Sequence, residues 1–419
     1  MTLTKKTIED AFEVVSKVVK RTPLQYSERL SEKYGAHIYL KREDLTKVRS
    51  FKIRGAYYKM SRLTPEQIGK GIVCASAGNH AQGVAYACSK MKIKGAIFMP
   101  VTTPNQKVSK VKNFGGPYVK VILTGNTFDE ASVESKKYCE KEGSTYIHPF
   151  DDTDVMSGQG TVAYEIYNTM INEDNAKKID YVVTAIGGGG LISGISQYFK
   201  EASPMTKVIG SEPEFADSMN EALKIGKPVT LKKFETFVDG AAVRTTGEKT
   251  LSVVKKNVEK VVVVPTGLVC SVMIELYQYD GVVAEPAGAL SVAALENIKD
   301  EIKGKVVVCV ISGGNNDLLR YPEILERSLV YQGRKHYFIV EFAQKPGQLK
   351  NFLNHALSPT DDIVRFEYMK KNNKEKGPAL VGIELAKKDD FSGLISRMEK
   401  IGLTFRVLTP EDLLYQYLI

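Results

Sequence analysis

Short apolar segments recur between residues 35 and 320 and alternate with stretches whose apolar residues repeat at helical spacing. They are rich in valine and isoleucine, and all but the first end in glycine or proline: AHIYLK, GIVCASAG, KGAIFMP, YVKVILTG, DYVVTAIGGGG, KVIGSEP and KVVVCVISGG. Buried strands that alternate with helices predict an α/β fold with parallel sheets. Ligands of open α/β sheets bind at the carboxyl ends of the strands, so we expect the functional residues directly after these segments.

The pattern changes near residue 330, after which strands and helices are predicted in the order β-α-β-β-α-β. This is the order of the ferredoxin-like α+β fold. We therefore predict a catalytic domain at residues 1–330, with a smaller subdomain inserted at about 55–145, and a second domain at 331–419. The polar segment NNKEKG predicts a turn between two strands of the second domain. No cluster of candidate catalytic residues lies in that domain, which favours binding or regulation.

Composition excludes several classes of protein. The net charge of +9 is spread along 419 residues, without a basic run interleaved with aromatic residues, which argues against nucleic-acid binding. No apolar stretch reaches the length of a membrane span, and the first residues lack the apolar core of a signal peptide. Five scattered cysteines without a CxxC pair indicate reduced thiols. We therefore expect a cytoplasmic protein that binds neither nucleic acid nor membrane.

Lys52 stands between Phe51 and Ile53 at the predicted start of a helix. A solvated lysine needs no apolar neighbours, whereas a reactive amine requires a partly dry site, because burial lowers the lysine pKa. Lys52 is therefore a candidate nucleophile. The alternative is an ordinary exposed residue on an amphipathic helix.

Small and polar residues follow three of the predicted strands. The glycines of TAIGGGGLISG leave backbone N–H groups open at a helix start, which suits a phosphate, although a bare flexible turn has the same composition. Neither a dinucleotide fingerprint nor a P-loop is present. In CASAGNHAQGVAYA, the small residues leave backbone N–H groups accessible to an anion such as a carboxylate. Asn79 can donate a hydrogen bond to a phenolate-like oxygen, and His80 either acts as a base or orients the loop. Ser312 lacks the His and Asp motif of a serine nucleophile, so we interpret it as a neutral hydrogen-bond partner for a ligand atom.

One ligand offers a partner to each of these groups. Pyridoxal phosphate has an aldehyde for Lys52, a phosphate for the glycines, a phenolic oxygen for Asn79 and a ring nitrogen for Ser312. Enzymes that use it require a lysine Schiff base and a partner for the pyridine nitrogen.

Four segments, KREDLTKVRSFKIRGAY, SAGNHAQGVA, GGGGLISG and SGGNND, together resemble the fold-type-II pyridoxal-phosphate enzymes, and within them the biosynthetic threonine dehydratases. The resemblance covers residues 7–321. FAQKPGQLKNFL, DDIVRFEYMKK and GPALVGIEL are similar to the ACT-like regulatory domain of that family, here in one copy.

The resemblance implies a role for each matching residue. Lys52 forms the Schiff base and is the catalytic residue, and Phe51 packs on the cofactor ring. The other implied cofactor contacts are Asn79, Gly187, Gly188, Gly189, Gly190, the backbone of Leu191, and Ser312. The implied binding loop for the substrate carboxylate is Ser76, Ala77, Gly78 and Asn79. Glu285, in AEPAGA, is implied to border the cofactor.

These roles imply deamination of L-threonine to 2-oxobutanoate and ammonia, the first committed step of isoleucine biosynthesis, with L-serine converted to pyruvate as a side activity. The resemblance also implies isoleucine as an inhibitor and valine as an opposing activator at the C-terminal domain, and a homotetramer or dimer.

Related enzymes of this fold leave alternatives open. Serine racemases carry a serine as second base where Ala77 stands, which favours elimination here. Those relatives also bind a divalent ion through two acidic residues, but only Glu212 is present and Ser218 occupies the other position. We therefore expect no divalent metal, while a monovalent cation remains open. The alternatives are a serine racemase or β-replacing enzyme of the same fold, and a sensing protein with a vestigial catalytic domain.

Overall fold

The computed structural model describes residues 2–173, 178–370, 374–410 and 412–418. The helices are α1 (Lys5–Val15), α2 (Glu28–Tyr34), α3 (Lys52–Ser61), α4 (Pro65–Lys70), α5 (Asn79–Met91), α6 (Asn105–Gly115), α7 (Phe128–Glu142), α8 (Thr153–Tyr167), α9 (Gly190–Ala202), α10 (Ser218–Ile225), α11 (Glu248–Asn257), α12 (Thr266–Asp280), α13 (Pro286–Ala293), α14 (Leu295–Ile298), α15 (Tyr321–Tyr331), α16 (Gln348–His355) and α17 (Asp390–Lys400).

The strands within the same residues are β1 (Leu24–Tyr26), β2 (His37–Arg42), β3 (Ile72–Ala75), β4 (Gly95–Met99), β5 (Val119–Leu123), β6 (Thr145–Tyr146), β7 (Tyr181–Ala185), β8 (Lys207–Pro213), β9 (Lys260–Val264), β10 (Val306–Ile311), β11 (Lys335–Ala343), β12 (Asp362–Tyr368), β13 (Lys376–Glu384) and β14 (Thr404–Val407).

The chain divides into two compact units, one of residues 1–266 and 275–316, the other of 267–274 and 317–419. The first unit holds a six-stranded sheet in the order β1-β2-β10-β7-β8-β9 and a four-stranded sheet in the order β5-β4-β3-β6. All neighbouring strands in both sheets are parallel except β1, which pairs antiparallel to β2. The predicted α/β fold with parallel sheets is confirmed.

The second unit contains an antiparallel sheet in the order β12-β13-β11-β14, with α16 and α17 in the predicted β-α-β-β-α-β sequence. Alternate residues of β11, among them Phe338 and Val340, join Phe352 of α16 and Leu394 of α17 in one buried cluster. The two helices therefore cover one face of the sheet. The predicted NNKEKG turn lies partly outside the described residues. The domain boundary at residue 330 falls within α15 and stays a prediction.

Close packing of α8 against α9 holds the start of α9 in place. A Cβ added to Gly194 would lie 2.4 Å from the carbonyl oxygen of Met156 and 2.5 Å from the amide nitrogen of Gly160. Only glycine permits the backbones of the two helices to approach this closely. Because α9 begins at Gly190, this contact also anchors the glycine turn that precedes it.

A buried cluster of two cations and two anions joins β2, α3 and α8. The guanidinium of Arg54 in α3 lies 2.7 Å from Glu43 and 2.7 Å from Glu165 of α8. The amine of Lys41 in β2 lies 2.6 Å from Glu165. All four side chains are at most 1% exposed, and their charges balance. A buried charge in such a group is tolerated only while its partners are present.

Among the described residues, no helix is both long and apolar enough to cross a membrane. The cysteines are free thiols, and Cys74, Cys88, Cys270 and Cys309 are buried.

The ion cluster gives a prediction for stability. Replacing Arg54 with Met leaves two buried carboxylates short of a cation, so we expect the free energy of unfolding of the first unit to fall by about 3–5 kcal/mol. Thermal and urea unfolding would measure the loss. Arg62→Met is the control, because Arg62 ends the same helix but is exposed. Equal stability of the two variants would contradict the importance of the cluster.

Candidate functional site

Lys52 begins α3, in a segment that pairs with the residues just after β10. The amide of Phe51 donates to the carbonyl oxygen of Ser312 at 3.1 Å, which brings the two segments together. The amine of Lys52 donates to the carbonyl oxygen of Pro149 at 2.9 Å and lies 5.3 Å from the centre of the Phe51 ring. The Phe51 ring therefore lies close to the amine of Lys52, and its packing on a cofactor ring stays a prediction.

The surroundings of Lys52 lower the pKa of its amine. Burial lowers the pKa of Lys52 from 10.5 to about 8, although the nearby carboxyl of Glu285 raises it. No carboxylate forms an ion pair with this amine within the described residues. An amine with this pKa is partly unprotonated near neutral pH, which is the form that attacks an aldehyde.

The turn of Gly187, Gly188, Gly189 and Gly190 connects β7 with α9. Gly189 has φ +87°, in the region that favours glycine, and a Cβ on Gly188 would lie 2.1 Å from the Phe150 ring. Within the described chain, the N–H groups of Gly188, Gly189, Gly190 and Leu191 make no hydrogen bond to protein. These open donors at a helix N-terminus fit a phosphate.

Asn79 belongs to a three-residue network at the ends of two strands. Its side-chain NH₂ donates to Glu285 at 2.6 Å, and its carbonyl oxygen accepts from the side chain of Asn315 at 2.8 Å. The amide of Asn315 also donates to Glu285 at 3.1 Å. Burial and, to a smaller extent, the charge of Asp239 raise the pKa of Glu285 to about 7. The network fixes the orientation of the Asn79 amide and leaves one of its N–H bonds for a ligand.

Ser312 lies at the end of β10 and is 2% exposed. Its hydroxyl donates to the carbonyl oxygen of Ala287 at 3.2 Å. The oxygen of this hydroxyl therefore remains an acceptor, and rotation of its proton converts it to a donor. A neutral partner of this kind suits a ring nitrogen.

The Ser76–Asn79 loop joins β3 to α5. The amide of Gly78 donates to the hydroxyl of Ser76 at 3.2 Å. In the described residues, the N–H groups of Ala77 and Asn79 have no protein acceptor, and a Cβ on Gly78 would meet no atom within 4 Å. The loop is therefore open to an anion such as a carboxylate.

His80 is buried behind this loop. Its Nε2 lies 2.9 Å from the carbonyl oxygen of Ile147, which identifies Nε2 as the protonated nitrogen. Burial and, to a smaller extent, the charge of Lys52 lower the pKa of His80 to about 3. The neutral ring holds the loop against the segment after β6, which favours the orienting role.

Glu212 accepts hydrogen bonds from the backbone amides of Met219 and Asn220, at 2.9 and 2.8 Å. The carboxylate thus caps α10, and burial raises its pKa to about 8. Within the described chain, no group of three or more metal-ligating side chains is present.

These groups belong to one site. A Cβ on Gly83 of α5 would lie 3.1 Å from the backbone of Lys52, so the Asn79 helix packs directly on α3. The segment His148–Asp151 contacts Lys52 through Pro149 and the glycine turn through Phe150. The open N–H groups, the amine of lowered pKa and the buried hydroxyl therefore fit the phosphate, aldehyde and ring nitrogen of pyridoxal phosphate.

Sequence reasoning missed Pro149, Phe150 and Asn315. Asn315 lies in the SGGNND motif together with Ser312, and this proximity in sequence could have indicated that it belongs to the site. Pro149 and Phe150 follow a strand of only two residues, and nothing in HPFDD indicated a contact with Lys52.

Comparison with known families agrees with this geometry. Residues 15–313 match the model of the pyridoxal-phosphate dependent enzymes, and residues 326–418 match the C-terminal regulatory domain of threonine dehydratase.

One relative matches nearly the whole chain in sequence, and two solved structures match more than three quarters of it. The chain is 53% identical over 415 residues to the biosynthetic L-threonine dehydratase of Halalkalibacterium halodurans, covering 98% of this chain and 99% of that protein. Among solved structures, the processed form of threonine deaminase isoform 2 from Solanum lycopersicum has a TM-score of 0.73 and 38% identity, covering 77% of this chain and 92% of that one. Maize serine racemase has a TM-score of 0.71 and 31% identity, and the match covers 79% of this chain and 99% of the maize protein. The chain therefore belongs to the biosynthetic threonine dehydratase family of pyridoxal-phosphate-dependent enzymes.

Proposed function

We propose that this chain deaminates L-threonine to 2-oxobutanoate and ammonia, the first committed step of isoleucine biosynthesis, and converts L-serine to pyruvate more slowly. The observation that carries the proposal is the amine of Lys52, whose pKa is lowered to about 8 in the same site as four unpaired backbone N–H groups. The near-full-length similarity to a biosynthetic L-threonine dehydratase supports the choice of substrate.

The proposed cofactor contacts follow from the site. Lys52 would hold the aldehyde carbon, and Phe51 would flank the ring. The phosphate would lie against the backbone of Gly187, Gly188, Gly189, Gly190 and Leu191. Asn79 would donate to the ring 3-oxygen, and Ser312 would contact the ring nitrogen. When bound, pyridoxal phosphate supplies an electron sink that weakens the Cα–H bond of an attached amino acid.

The chain's own residues supply binding and proton transfer. The open N–H groups of the loop formed by Ser76, Ala77, Gly78 and Asn79 bind the substrate carboxylate. The amine of Lys52 accepts the α-proton of threonine, which its lowered pKa permits near neutral pH. The hydroxyl of Ser312 is neutral and, unlike a carboxylate, would not keep the ring nitrogen protonated. The ring would then hold less negative charge, which would favour prompt loss of the β-hydroxyl.

Ala77 argues for elimination over racemisation. Racemisation needs a proton donor on the face of the substrate opposite the lysine, and the methyl group of Ala77 cannot supply one. Serine racemase remains the second candidate, because the maize enzyme shares the fold at 31% identity. Chiral analysis of residual serine after incubation with the holoenzyme separates the two: we expect L-serine to be consumed without accumulation of D-serine.

Replacing Lys52 with Ala tests its catalytic role. We expect formation of 2-oxobutanoate from L-threonine to fall by about 10³-fold or more, because the proton acceptor is lost. We also expect the absorbance band of lysine-bound cofactor to disappear. Lys47→Ala is the control, since Lys47 lies five residues earlier and is exposed. Substantial keto-acid formation by the Lys52 variant, or none by the unmodified holoenzyme, would contradict the proposal.

The pH dependence of Lys52 gives a separate prediction. In cofactor-stripped protein, acylation of Lys52 measured by mass spectrometry should rise with pH and reach half its maximum near pH 8, because only the unprotonated amine reacts. Lys207 is an internal control that should react at higher pH, since its hydrogen bond to Glu259 raises its pKa. Glu285→Gln should move the Lys52 midpoint to lower pH, because the carboxyl of Glu285 raises this pKa. Identical profiles for Lys52 and Lys207 would contradict the prediction.

We propose that the domain at residues 331–419 binds branched-chain amino acids, with isoleucine as inhibitor and valine as opposing activator. A cavity of about 210 Å³ supports an effector of this size. Phe342, Leu349 and Phe366 supply apolar walls, and Lys345 and Lys370 supply positive charge. An apolar side chain and a carboxylate are the two features that such a lining recognises.

Assembly and location are part of the same proposal. We propose a cytoplasmic homotetramer, with a dimer as the smaller alternative. Strands β12 and β14 form the two edges of the antiparallel sheet, and open edges can pair with another copy. Sedimentation of the holoenzyme distinguishes the two assemblies.

Isoleucine titration of threonine turnover tests the regulatory role. We expect isoleucine to inhibit the full chain, with a coupling of about 5- to 150-fold, and to leave a chain that ends at Gln332 uninhibited. Ending there retains the hydrogen bonds of Ser328 and Gln332 with Ser271. Glycine is the ligand control, because it has the carboxylate but no apolar side chain. Turnover and melting temperature check that the shortened chain is folded. Equal inhibition of both chains would remove the regulatory proposal.

A further inference from the structure

The segment that follows β6 lies between the two halves of the proposed site. It consists of His148, Pro149, Phe150 and Asp151. The Pro149 carbonyl accepts the hydrogen bond of Lys52 at 2.9 Å, the only one that this amine makes within the described residues. The direction of this carbonyl therefore decides where the amine is held.

The His148 side chain shapes the turn that carries this carbonyl. Its Nδ1 accepts from the amide of Phe150 at 3.3 Å and from the amide of Asp151 at 2.8 Å. An imidazole nitrogen that accepts two N–H groups carries no proton, so Nε2 is the protonated nitrogen. Burial lowers the pKa of His148 to about 4, which keeps the ring in this neutral form. Without an acceptor at Nδ1, the amides of Phe150 and Asp151 would both lose their hydrogen-bond partner, and the turn would lose its shape.

The far end of the segment is anchored separately. The carboxylate of Asp151 accepts from the amide of Thr250 at 2.9 Å, at the start of α11. The Phe150 ring occupies the space beside Gly188 that a Cβ would need. These contacts hold the downstream half of the segment, so the Pro149 carbonyl is the part of the turn most dependent on His148.

We propose that His148 is a positioning residue that acts on Lys52 through the Pro149 carbonyl. Its Nδ1 closes the turn, the turn aims the carbonyl, and the carbonyl places the amine before the aldehyde of the cofactor. The inference rests on the proposed function for the identity of the cofactor and the substrate.

Substitutions at His148 separate positioning from general stability. Asn places an amide oxygen near the position of Nδ1 and caps backbone N–H groups two and three residues on. Leu has a comparable apolar volume but no acceptor. We expect His148→Asn to retain kcat within about threefold, and His148→Leu to lose about 10- to 100-fold in kcat with a smaller change in KM, because a misplaced amine impairs the proton transfer. His37→Leu is the matched control, since His37 is exposed at the start of β2.

Binding to cofactor-stripped protein supplies a readout that is independent of turnover. We expect His148→Leu to weaken binding of pyridoxal phosphate by about tenfold. Binding of 4-deoxypyridoxine phosphate, which lacks the aldehyde but keeps the phosphate, should stay within about twofold of the unmodified protein. Because this measurement does not involve threonine, it remains informative even if the proposed substrate is wrong.

Some results would overturn the inference. Equal weakening of both ligands would show that His148 acts on the glycine turn or on the whole fold, and unchanged binding of both would show that it does not act on Lys52. If His148→Leu fails to fold, the comparison of His148→Asn with His148→Gln decides, because the longer Gln side chain places its oxygen beyond the two amides. Equal kcat and equal cofactor affinity for Asn and Gln would then contradict the proposal.

Discussion

The charge-balanced cluster around Arg54 is the constraint on which the site depends. It joins β2, the turn at Glu43, α3 and α8 through direct ion pairs, and each member is tolerable only with the others. Since α3 begins with Lys52, the cluster sets the position and direction of the helix that carries the proposed catalytic amine. A rigid support of this kind is what a reactive group needs, because small displacements reduce rates strongly.

Lys52 and Arg54 show how partners decide the charge of buried cations. Both are removed from water, which disfavours the charged form of each. Arg54 faces two carboxylates, and their attraction outweighs burial and raises its pKa. Among the described residues, the amine of Lys52 has a carbonyl oxygen as its only hydrogen-bond partner, so burial prevails and lowers its pKa to about 8. Two residues on one helical turn thus differ in chemistry: one is structural and stays charged, while the other is available for reaction.

Long-range contacts converge on the ends of the parallel strands. Asn79 follows β3 and Ser312 follows β10, while Glu285 precedes α13. The glycine turn follows β7, and its close approach to Phe150 excludes any side chain at Gly188. The segment from His148 to Asp151 connects this turn with Lys52. The site is therefore assembled from segments distant along the chain, and its proposed chemistry depends on their relative placement.

The sequence alone determined the strand and helix pattern, because burial of valine- and isoleucine-rich segments and the helical repeat are local properties. It also marked Lys52, the four glycines, Asn79 and Ser312, because small or reactive residues there stand at the strand ends where parallel sheets bind their ligands. Only the tertiary structure decided that Pro149 accepts from Lys52, that Glu212 caps a helix, and that His80 is neutral and faces Ile147. A hydrogen-bond partner or a pKa depends on groups brought together from distant parts of the chain. The local sequence pattern does not show which groups these are.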